Sequence, residues 1–301
     1  MNPSSSQVVR RNSKNPQPSY PSKLIQKRLN GVGHYTLLIL ILIFATFPFV
    51  WTLAIALTDK GAGGGTSIYD FPASLFPKHI TFNNFVEVYQ SFSLGKYILN
   101  SVSITLLSII GTLLVSILAA YPLARFKFLG DKWIFGTIVA TLVLPSETNF
   151  IVNTLTLQKL HLLGTHLGVV LPTLATAFGI FLMRQAFLSV PQALLEAARL
   201  DGASEMRILF GIMLPLTLPS LAALGIFTLV TSWNAYFWPM LVLSSTPDLA
   251  PLSVAVLKLK GQFNYDPFNI AAGSLIMMLP ILLIFIFAQR FFMRGLDGAV
   301  K

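Results

Sequence analysis

The sequence has no cysteine and few charged residues. The lack of cysteine excludes disulfides, thiolate metal sites and cysteine nucleophiles. Only 11% of the 301 residues are charged, whereas soluble domains carry about 25%. Hydrophobic residues make up 54%, and the mean hydropathy is +0.71. One water-soluble body of this size cannot hide so much apolar surface, so the composition argues against a soluble enzyme, a disordered chain and a nucleic-acid-binding domain.

Motifs that carry catalytic chemistry are also missing. No G-x-x-x-x-G-K-[ST] segment is present to cradle phosphates, and the glycine-rich run at 61–65 lacks a following lysine. Of the four histidines, only His161 and His166 are close, and their i,i+5 spacing does not suit one helix face. No Ser/His/Asp set or carboxylate pair stands out. We therefore predict neither a metal site nor enzyme activity in this chain, and a membrane-embedded hydrolase has no residues to support it.

Long apolar runs dominate what is present. A helix needs about 20 residues to cross the roughly 30 Å of hydrocarbon in a bilayer, and six stretches qualify. They are residues 35–57, 97–123, a run from 133 past Pro145, 167–183, 216–238 and 268–288. The third is interrupted by Glu147. The sequence thus predicts an all-α integral membrane protein with six transmembrane helices.

The positive charges fall on alternate sides of these stretches. Fifteen of the 21 Lys and Arg lie in the N-terminal tail, the loops at 124–132 and 184–215, and the C-terminal tail. With the 11 acids divided five to six, these segments carry a net charge of +10 and the other loops carry zero. Basic loops stay in the cytoplasm. We predict a multi-pass membrane protein with both termini cytoplasmic and no nucleic-acid partner.

This topology divides the chain into five segments. Residues 1–34 form a basic tail rich in Ser, Asn, Pro and Gln, which is predicted to be disordered. Residues 35–57 are a retained first span, because the run is too long for a signal peptide. Residues 58–96 form an external loop, 97–290 a core, and 291–301 a cytoplasmic tail.

One predicted cytoplasmic loop, residues 190–215, has an unusual composition. Ser189 to Gln192 has the form of a capping box, which predicts a helix running through Leu200. Gly202 can end that helix, and Ser204 can cap a second helix that runs toward Pro215. The first helix is short and amphipathic. The pattern alone allows docking in a groove of a partner or packing on the membrane interface.

The same residues resemble a known family. Glu196-Ala197-Ala198, Asp201-Gly202-Ala203 and Leu214-Pro215 are similar to the EAA loop of type I ABC-importer permeases. The resemblance covers about residues 35–301 and is greatest to the carbohydrate-uptake branch, on the MalG-like side. Further motifs that carry it are Asn100-Ser101, Ala119-Ala120-Tyr121, Ala124-Arg125, Trp233-Asn234 and Gly298 to Lys301.

The resemblance implies a MetI-like permease fold and a set of partners. These are a second permease subunit similar to MalF, two ATPase subunits that hold ATP and Mg, an extracytoplasmic solute-binding protein, and membrane lipid. No cofactor is expected in this chain. By this resemblance, one group of residues couples the permease to the ATPase. They are Glu196, Ala197, Ala198, Asp201, Gly202, Ala203, Leu214 and Pro215.

The solute stays open between two classes. The branch implies a sugar or oligosaccharide, but Arg184-Gln185 and the aromatic run at 233–239 are also similar to glycerol 3-phosphate permeases. A different class, a secondary transporter or channel without an ATPase, would need ionisable groups or broken helices paired across two repeats. Neither is evident in the sequence.

Some polar and aromatic residues are candidates for the pore or gate, although each also has a structural explanation. Glu147 is ionisable near membrane depth, yet it follows Pro145 and can lie at the external interface. The aromatic cluster suits sugar stacking but equally suits an interfacial belt. The pore candidates are Glu147, Asn149, Trp233, Asn234 and Tyr236.

Overall fold

A computed structural model describes residues 22–60, 71–91, 93–259 and 266–297, and these residues are almost entirely helical. The helices in chain order are α1 Ser22–Ala56, α2 Asn83–Ser91, α3 Leu94–Arg125, α4 Asp131–Ala140, α5 Phe150–Lys159, α6 His166–Val170, α7 Ala177–Leu188, α8 Gln192–Leu200, α9 Glu205–Ile208, α10 Leu214–Leu216, α11 Leu218–Asn234, α12 Phe237–Val242, α13 Leu252–Lys258 and α14 Pro267–Asp297. Within these ranges, β-type pairing is limited to one isolated bridge, between Thr58 and Ile80.

The chain consists of two compact units, a first that ends at Val50 and a second that begins at Trp51. In the first unit, the described backbone is a single helix that begins at Ser22. Residues 22–34, which composition predicts to be disordered, are therefore helical, while 1–21 lie outside the described residues. From residue 35 to residue 50 most apolar side chains are exposed, with Phe44 at 83%, whereas Ala54 and Ala56 at the end of the predicted first span are buried. Such exposure suits contact with lipid.

Three helices are long and apolar enough to cross a membrane, namely Gly33–Ala56, Leu94–Arg125 and Pro267–Ile286. They confirm the first, second and sixth predicted spans. Two bent pairs bring the possible total to five. They join His166–Thr173 to Ala177–Leu188 at 52°, and Glu205–Leu216 to Leu218–Asn234 at 80°. Their helices include parts of the fourth and fifth predicted stretches, so neither of these stretches is one continuous helix. The count of six stays a prediction.

The third predicted span is not one continuous helix. The helix α4 ends at Ala140 and is followed by 3₁₀ turns at Thr141–Val143 and Ser146–Asn149 before α5 begins. Pro145 explains the break. It has no N–H to donate and it disfavours helical dihedrals in the preceding residue, and Leu144 is indeed extended, with ψ at 129°.

Loop 58–96 and the chain before α14 meet in a polar cluster. The Lys60 Nζ donates to Glu87 at 2.8 Å, Asp266 at 2.6 Å and Asn269 at 2.9 Å. The hydrogen bonds from Lys60 and Asn269 lower the pKa of the Glu87 carboxyl. Burial lowers the pKa of Lys60, but its bonds to Asp266 and Glu87 leave that pKa above its usual value. The cluster ties α2 to the start of α14.

Small residues let α3 pack closely on its neighbours. A Cβ placed on Gly111 would overlap the Leu174 side chain, and one on Gly179 of α7 would overlap Ser116 Oγ and lie 2.7 Å from Thr176 Oγ1. Small residues at helix contacts are the usual means of close approach in membranes, where apolar burial does not drive association. α3 thus forms the central contact helix of the second unit.

Gly179→Ala tests this packing. The added methyl forces α7 away from α3, and overpacking of this kind costs about 1–3 kcal/mol. We expect a lower thermal unfolding midpoint and less monodisperse protein in detergent. Gly136→Ala in α4 is the matched control, because no atom lies within 4 Å of its added Cβ. An equal effect of both substitutions would contradict the close contact.

Candidate functional site

The elbow between α8 and α9 is built by the backbone. Gly202 has φ at +81°, a left-handed conformation that costs glycine little. Its N–H donates to Arg199 O at 3.0 Å, and the Ala203 N–H donates to Ala198 O at 3.0 Å. This pair of bonds is the Schellman motif, which satisfies carbonyls left free at a helix end. The prediction that Gly202 ends the first helix is confirmed.

The second half of the loop begins and ends as the sequence predicts, with one irregularity. Ser204 Oγ accepts a hydrogen bond from the Arg207 N–H at 3.4 Å, which caps α9. The helix then passes through a π-helical turn, Leu209–Met213, and α10 contains Pro215. Because Pro215 has no N–H, the backbone around it cannot keep a regular α-helical ladder.

The capping box predicted at Ser189 is wrong. Ser189 lies at the C-terminal end of α7, and its Oγ donates to Ala186 O at 2.7 Å. The N-cap of α8 is Pro191, without a side-chain cap. Pro191 fixes φ near −58° in an extended backbone, so the chain enters α8 without a serine cap.

α8 leaves most of its surface uncovered. Leu195 is the only one of its residues that is buried, and Ala198 is half-buried against the same cluster. Glu196 and Ala197 are exposed, and Leu200 is 89% exposed. The helix therefore presents a charged and apolar outer face, which we call the α8 face and which consists of Ala193, Leu194, Glu196, Ala197 and Leu200.

The inner side of the loop packs on an apolar cluster that joins it to α3 and α7. Leu195, Ile208 and Met213 have no exposed surface. Their buried partners in the cluster are Ile117, Ala120, Tyr121, Met183, Phe187, Val190, Leu209 and Leu224. The predicted coupling residues Ala203 and Leu214 pack partly against it. The loop is thus an anchored part of the helical body.

A polar group completes this anchor. Tyr121 at the end of α3 donates a hydrogen bond from its hydroxyl to Glu205 Oε2. Arg199 of α8 donates from Nε to Glu205 Oε1 at 2.9 Å and from Nη2 to Oε2 at 3.3 Å. The bond to Glu205 raises the pKa of the Arg199 guanidinium. One carboxylate therefore holds α3, α8 and α9 together.

Arg125, one turn beyond Tyr121, holds the chain that enters α8. Its Nη2 donates to Phe187 O and, at 2.7 Å, to Val190 O, and its Nη1 donates to Gln192 Oε1 at 3.1 Å. The Gln192 amide donates to Glu196 Oε1 at 3.3 Å. Two carbonyls that end α7 are thereby satisfied by a single guanidinium.

Sequence reasoning assigned no role in the site to Tyr121, Arg125 or Arg199. The signal was present, because Ala119-Ala120-Tyr121 and Ala124-Arg125 were among the segments that carry the resemblance. Asn100-Ser101 has a comparable structural role. Asn100 Nδ2 donates to Asp248 O at 2.9 Å and Ala250 O at 3.0 Å, and Ser101 Oγ accepts from the Leu252 N–H at 2.7 Å.

The pore candidates separate into two kinds. Trp233 is 4% exposed, and its Nε1 donates to Met277 O of α14 at 3.0 Å, so within this chain it packs between helices, and its role in the pore stays a prediction. Asn234 and Tyr236, at the break between α11 and α12, are exposed. The Asn234 amide donates to Val230 O at 2.9 Å.

The structure brings Asn149 into the neighbourhood of this break. Phe150, the next residue, stacks on Phe237 and Trp238 with ring centroids 5.4 Å apart in both cases. Asn149 is exposed beside this stack. The backbone of Glu147 lies in the adjoining 3₁₀ turn, Ser146–Asn149. Two segments that are distant in sequence therefore meet around three aromatic rings.

The residues that the structure describes contain no group of three or more His, Asp or Glu able to hold a metal ion. Charged groups of the loop are either paired, as in the ion pair of Arg199 and Glu205, or exposed, as are Glu196, Asp201 and Arg207. Such an arrangement offers contacts for a protein partner.

Known proteins share this architecture. Residues 112–298 match the family described as binding-protein-dependent transport system inner membrane component. The chain is 36% identical over 247 residues to the arabinooligosaccharides transport system permease protein AraQ of Halalkalibacterium halodurans, covering 81% of this chain and 86% of that protein. It is 34% identical over 249 residues to the sn-glycerol-3-phosphate transport system permease protein UgpE of Pectobacterium atrosepticum, covering 78% and 86%.

A solved structure agrees in fold. A chain of a bacterial ABC transporter involved in the import of alginate, an acidic polysaccharide, superposes with a TM-score of 0.79 at 23% identity, covering 92% of this chain and all of that one. The family match covers more than half of the present chain. The chain therefore belongs to the binding-protein-dependent inner membrane components, the permease subunits of ABC importers, and has their all-α MetI-like fold.

Proposed function

We propose that this permease subunit works with a second permease subunit, two ATPase subunits and an extracytoplasmic binding protein, and that the α8 face docks on one ATPase. ATP and Mg are held by the ATPase subunits. The observation that carries the proposal is the contrast within α8. One side is fixed by Leu195 in the apolar cluster, and the other presents Glu196, Ala197 and Leu200 to a partner. A short amphipathic helix in a groove is a common recognition mode.

Closure of the ATPase dimer would then move α8 and, through it, the membrane helices. Alternating access of this kind is a rigid-body movement of packed helices. The elbow suits it because the Schellman bonds at Gly202 and the Ser204 cap leave little freedom between the two helices of the loop. The exposed coupling residues Glu196 and Ala197 make the contact, while Asp201 and Gly202 set the angle.

For the solute we propose a sugar or oligosaccharide. The named relative AraQ belongs to an arabinooligosaccharide system, and aromatic rings stack on sugars. The second candidate is glycerol 3-phosphate, supported by the relative UgpE at 34% identity. Measuring which of the two classes the partner binding protein retains separates them. Retention of a phosphorylated polyol instead of a saccharide would overturn the first choice.

Within this chain, the solute path is proposed to pass the break between α11 and α12. Asn149, Asn234 and Tyr236 offer amide and hydroxyl groups beside the stacked rings of Phe150 and Phe237. Amides and hydroxyls hydrogen-bond to sugar hydroxyls, and the rings pack on their apolar faces. Glu147 is also a candidate for the solute path, because it lies in the turn that precedes α5.

Coupling is tested in the assembled importer with Glu196→Lys and Gly202→Pro. The first reverses a charge on the docking surface, and loss of a charged contact of this type lowers transport at least about tenfold. The second cannot adopt φ of +81° and loses the bond to Arg199 O. We expect the chain to insert in the membrane while ATPase activity is uncoupled from uptake. The measurements are solute uptake and ATPase activity in proteoliposomes.

Asp131→Lys is the control for Glu196→Lys, because it makes the same charge change at the first turn of α4, on the same predicted side of the membrane. We expect near-normal uptake from it. Normal uptake with both coupling variants would count against docking through α8.

Orientation is tested by cysteine labelling, since the chain has no cysteine of its own. Leu200→Cys and Phe76→Cys replace side chains that are 89% and 75% exposed. Positive loops are retained inside, so a membrane-impermeant maleimide should label position 76 in intact cells and position 200 only after permeabilisation. Labelling of position 200 from outside would refute the topology and the docking together.

Asn234→Ala tests the proposed solute path. If its amide contacts solute, loss of one hydrogen bond weakens the apparent affinity for uptake by about three- to tenfold, with no change in basal ATPase activity. Ser103→Ala is a control, because Ser103 is an exposed residue of α3 that also bonds only to its own helix, at Leu99 O. An unchanged KM in the Asn234 variant would remove this residue from the path.

A further inference from the structure

Besides the apolar cluster and the bonds of Arg125, two routes from the loop to the membrane helices differ in whether they cross the bend between α10 and α11. The first is the chain itself, which passes from α10 to α11 through the 80° bend. At the bend, Thr217 is in neither helix, and Pro215 and Pro219 on either side have no N–H to donate. The helix axis changes direction by 80° at this point. Movement of α8 that reached α11 only by this route would therefore not be transmitted along one straight axis.

The second route is the carboxylate of Glu205. It lies at the first residue of α9, before the bend, and both of its oxygens are used. Arg199 of α8 binds it through two nitrogens, and the Tyr121 hydroxyl of α3 donates to Oε2. The route therefore runs from α8 through Arg199 and Glu205 to α3 without crossing the bend.

The α3 end of this route is rigid. Tyr121 is 6% exposed, and its ring makes edge contacts with Phe126 at 5.5 Å and Phe187 at 6.2 Å between centroids. The other end is open to water, with the side chains of Arg199 and Glu205 exposed by 35% and 43%. An exposed ion pair adds little to stability. The contribution of this ion pair is geometric, because it fixes the distance between α8 and α9.

We propose that Tyr121, Glu205 and Arg199 are positioning residues that join α8 to α3, so that movement of the docking helix reaches the membrane core past the bend. This inference rests on the proposed docking of α8. The hydrogen bonds among these three residues are not the only contacts that hold the loop. The apolar cluster, to which the Tyr121 ring belongs, the Schellman bonds at Gly202 and the Arg125 bonds to Phe187 and Val190 hold it as well.

The test uses the complete importer in proteoliposomes and measures solute moved per ATP hydrolysed. Tyr121→Phe removes one hydroxyl and keeps the packed ring, while Glu205→Gln keeps the size of the side chain and removes its charge. We expect each to lower this ratio about tenfold, since hydrogen bonds to charged groups are the stronger kind. ATPase activity should stay within about twofold of that of the unmodified importer, and the double variant should be no worse than the more affected single variant, because the residues act as one unit.

Two further variants separate positioning from folding. Arg199→Lys keeps the charge and one donor, so it should retain more of the ratio than Arg199→Ala. Tyr89→Phe, which removes a hydroxyl from α2, should have no effect on the ratio. The amount of assembled complex is measured for every variant.

The outcomes decide between the proposals. An unchanged ratio in Tyr121→Phe and Glu205→Gln overturns the inference even if Glu196→Lys uncouples the importer, because docking would then hold without this route. A loss of uptake that follows the loss of assembled complex also overturns it, as a folding effect. If Glu196→Lys has no effect and the chain does not copurify with an ATPase, the proposed function fails and the inference fails with it.

Discussion

The left-handed backbone at Gly202 is the constraint on which the loop depends. It lets the chain reverse between α8 and α9 while Arg199 O and Ala198 O still receive donors. Any other residue pays for that dihedral with steric strain. With the elbow fixed, Leu195 falls on the apolar cluster and Glu196 on the outer side. The orientation of the proposed docking face thus follows from the torsion of one residue.

Proline and small residues shape the membrane part in a similar way. The chain breaks at Pro145, and another interruption follows Pro215. Where a helix stays continuous, as α3 does, glycine and serine residues allow the neighbouring helices to approach closely. Broken helices in membranes are tolerated where protein surrounds the freed backbone groups. In the second unit, the long helix α3 therefore packs against bent neighbours.

The sequence predicts the helical class, the first, second and sixth spans and the elbow, because each depends on local chemistry. Length and hydropathy determine a span, and a glycine followed by a capping serine determines the reversal at Gly202 and Ser204. It does not predict that Trp233 is buried, since an aromatic residue late in a span suits a belt as well as a core. It also misses the bond between Tyr121 and Glu205, which are 84 positions apart, because no local periodicity links residues at that distance.

The exposure of Leu200 matters for the subunit before it assembles with other proteins. Its side chain is 89% exposed, and the side chain of Leu194 in the same helix is 43% exposed. A newly made copy therefore exposes apolar side chains of α8. Such surfaces attract one another and the machinery that removes unfinished proteins. Synthesis of the subunits of an importer in matched amounts would shorten the time for which the Leu200 side chain stays exposed.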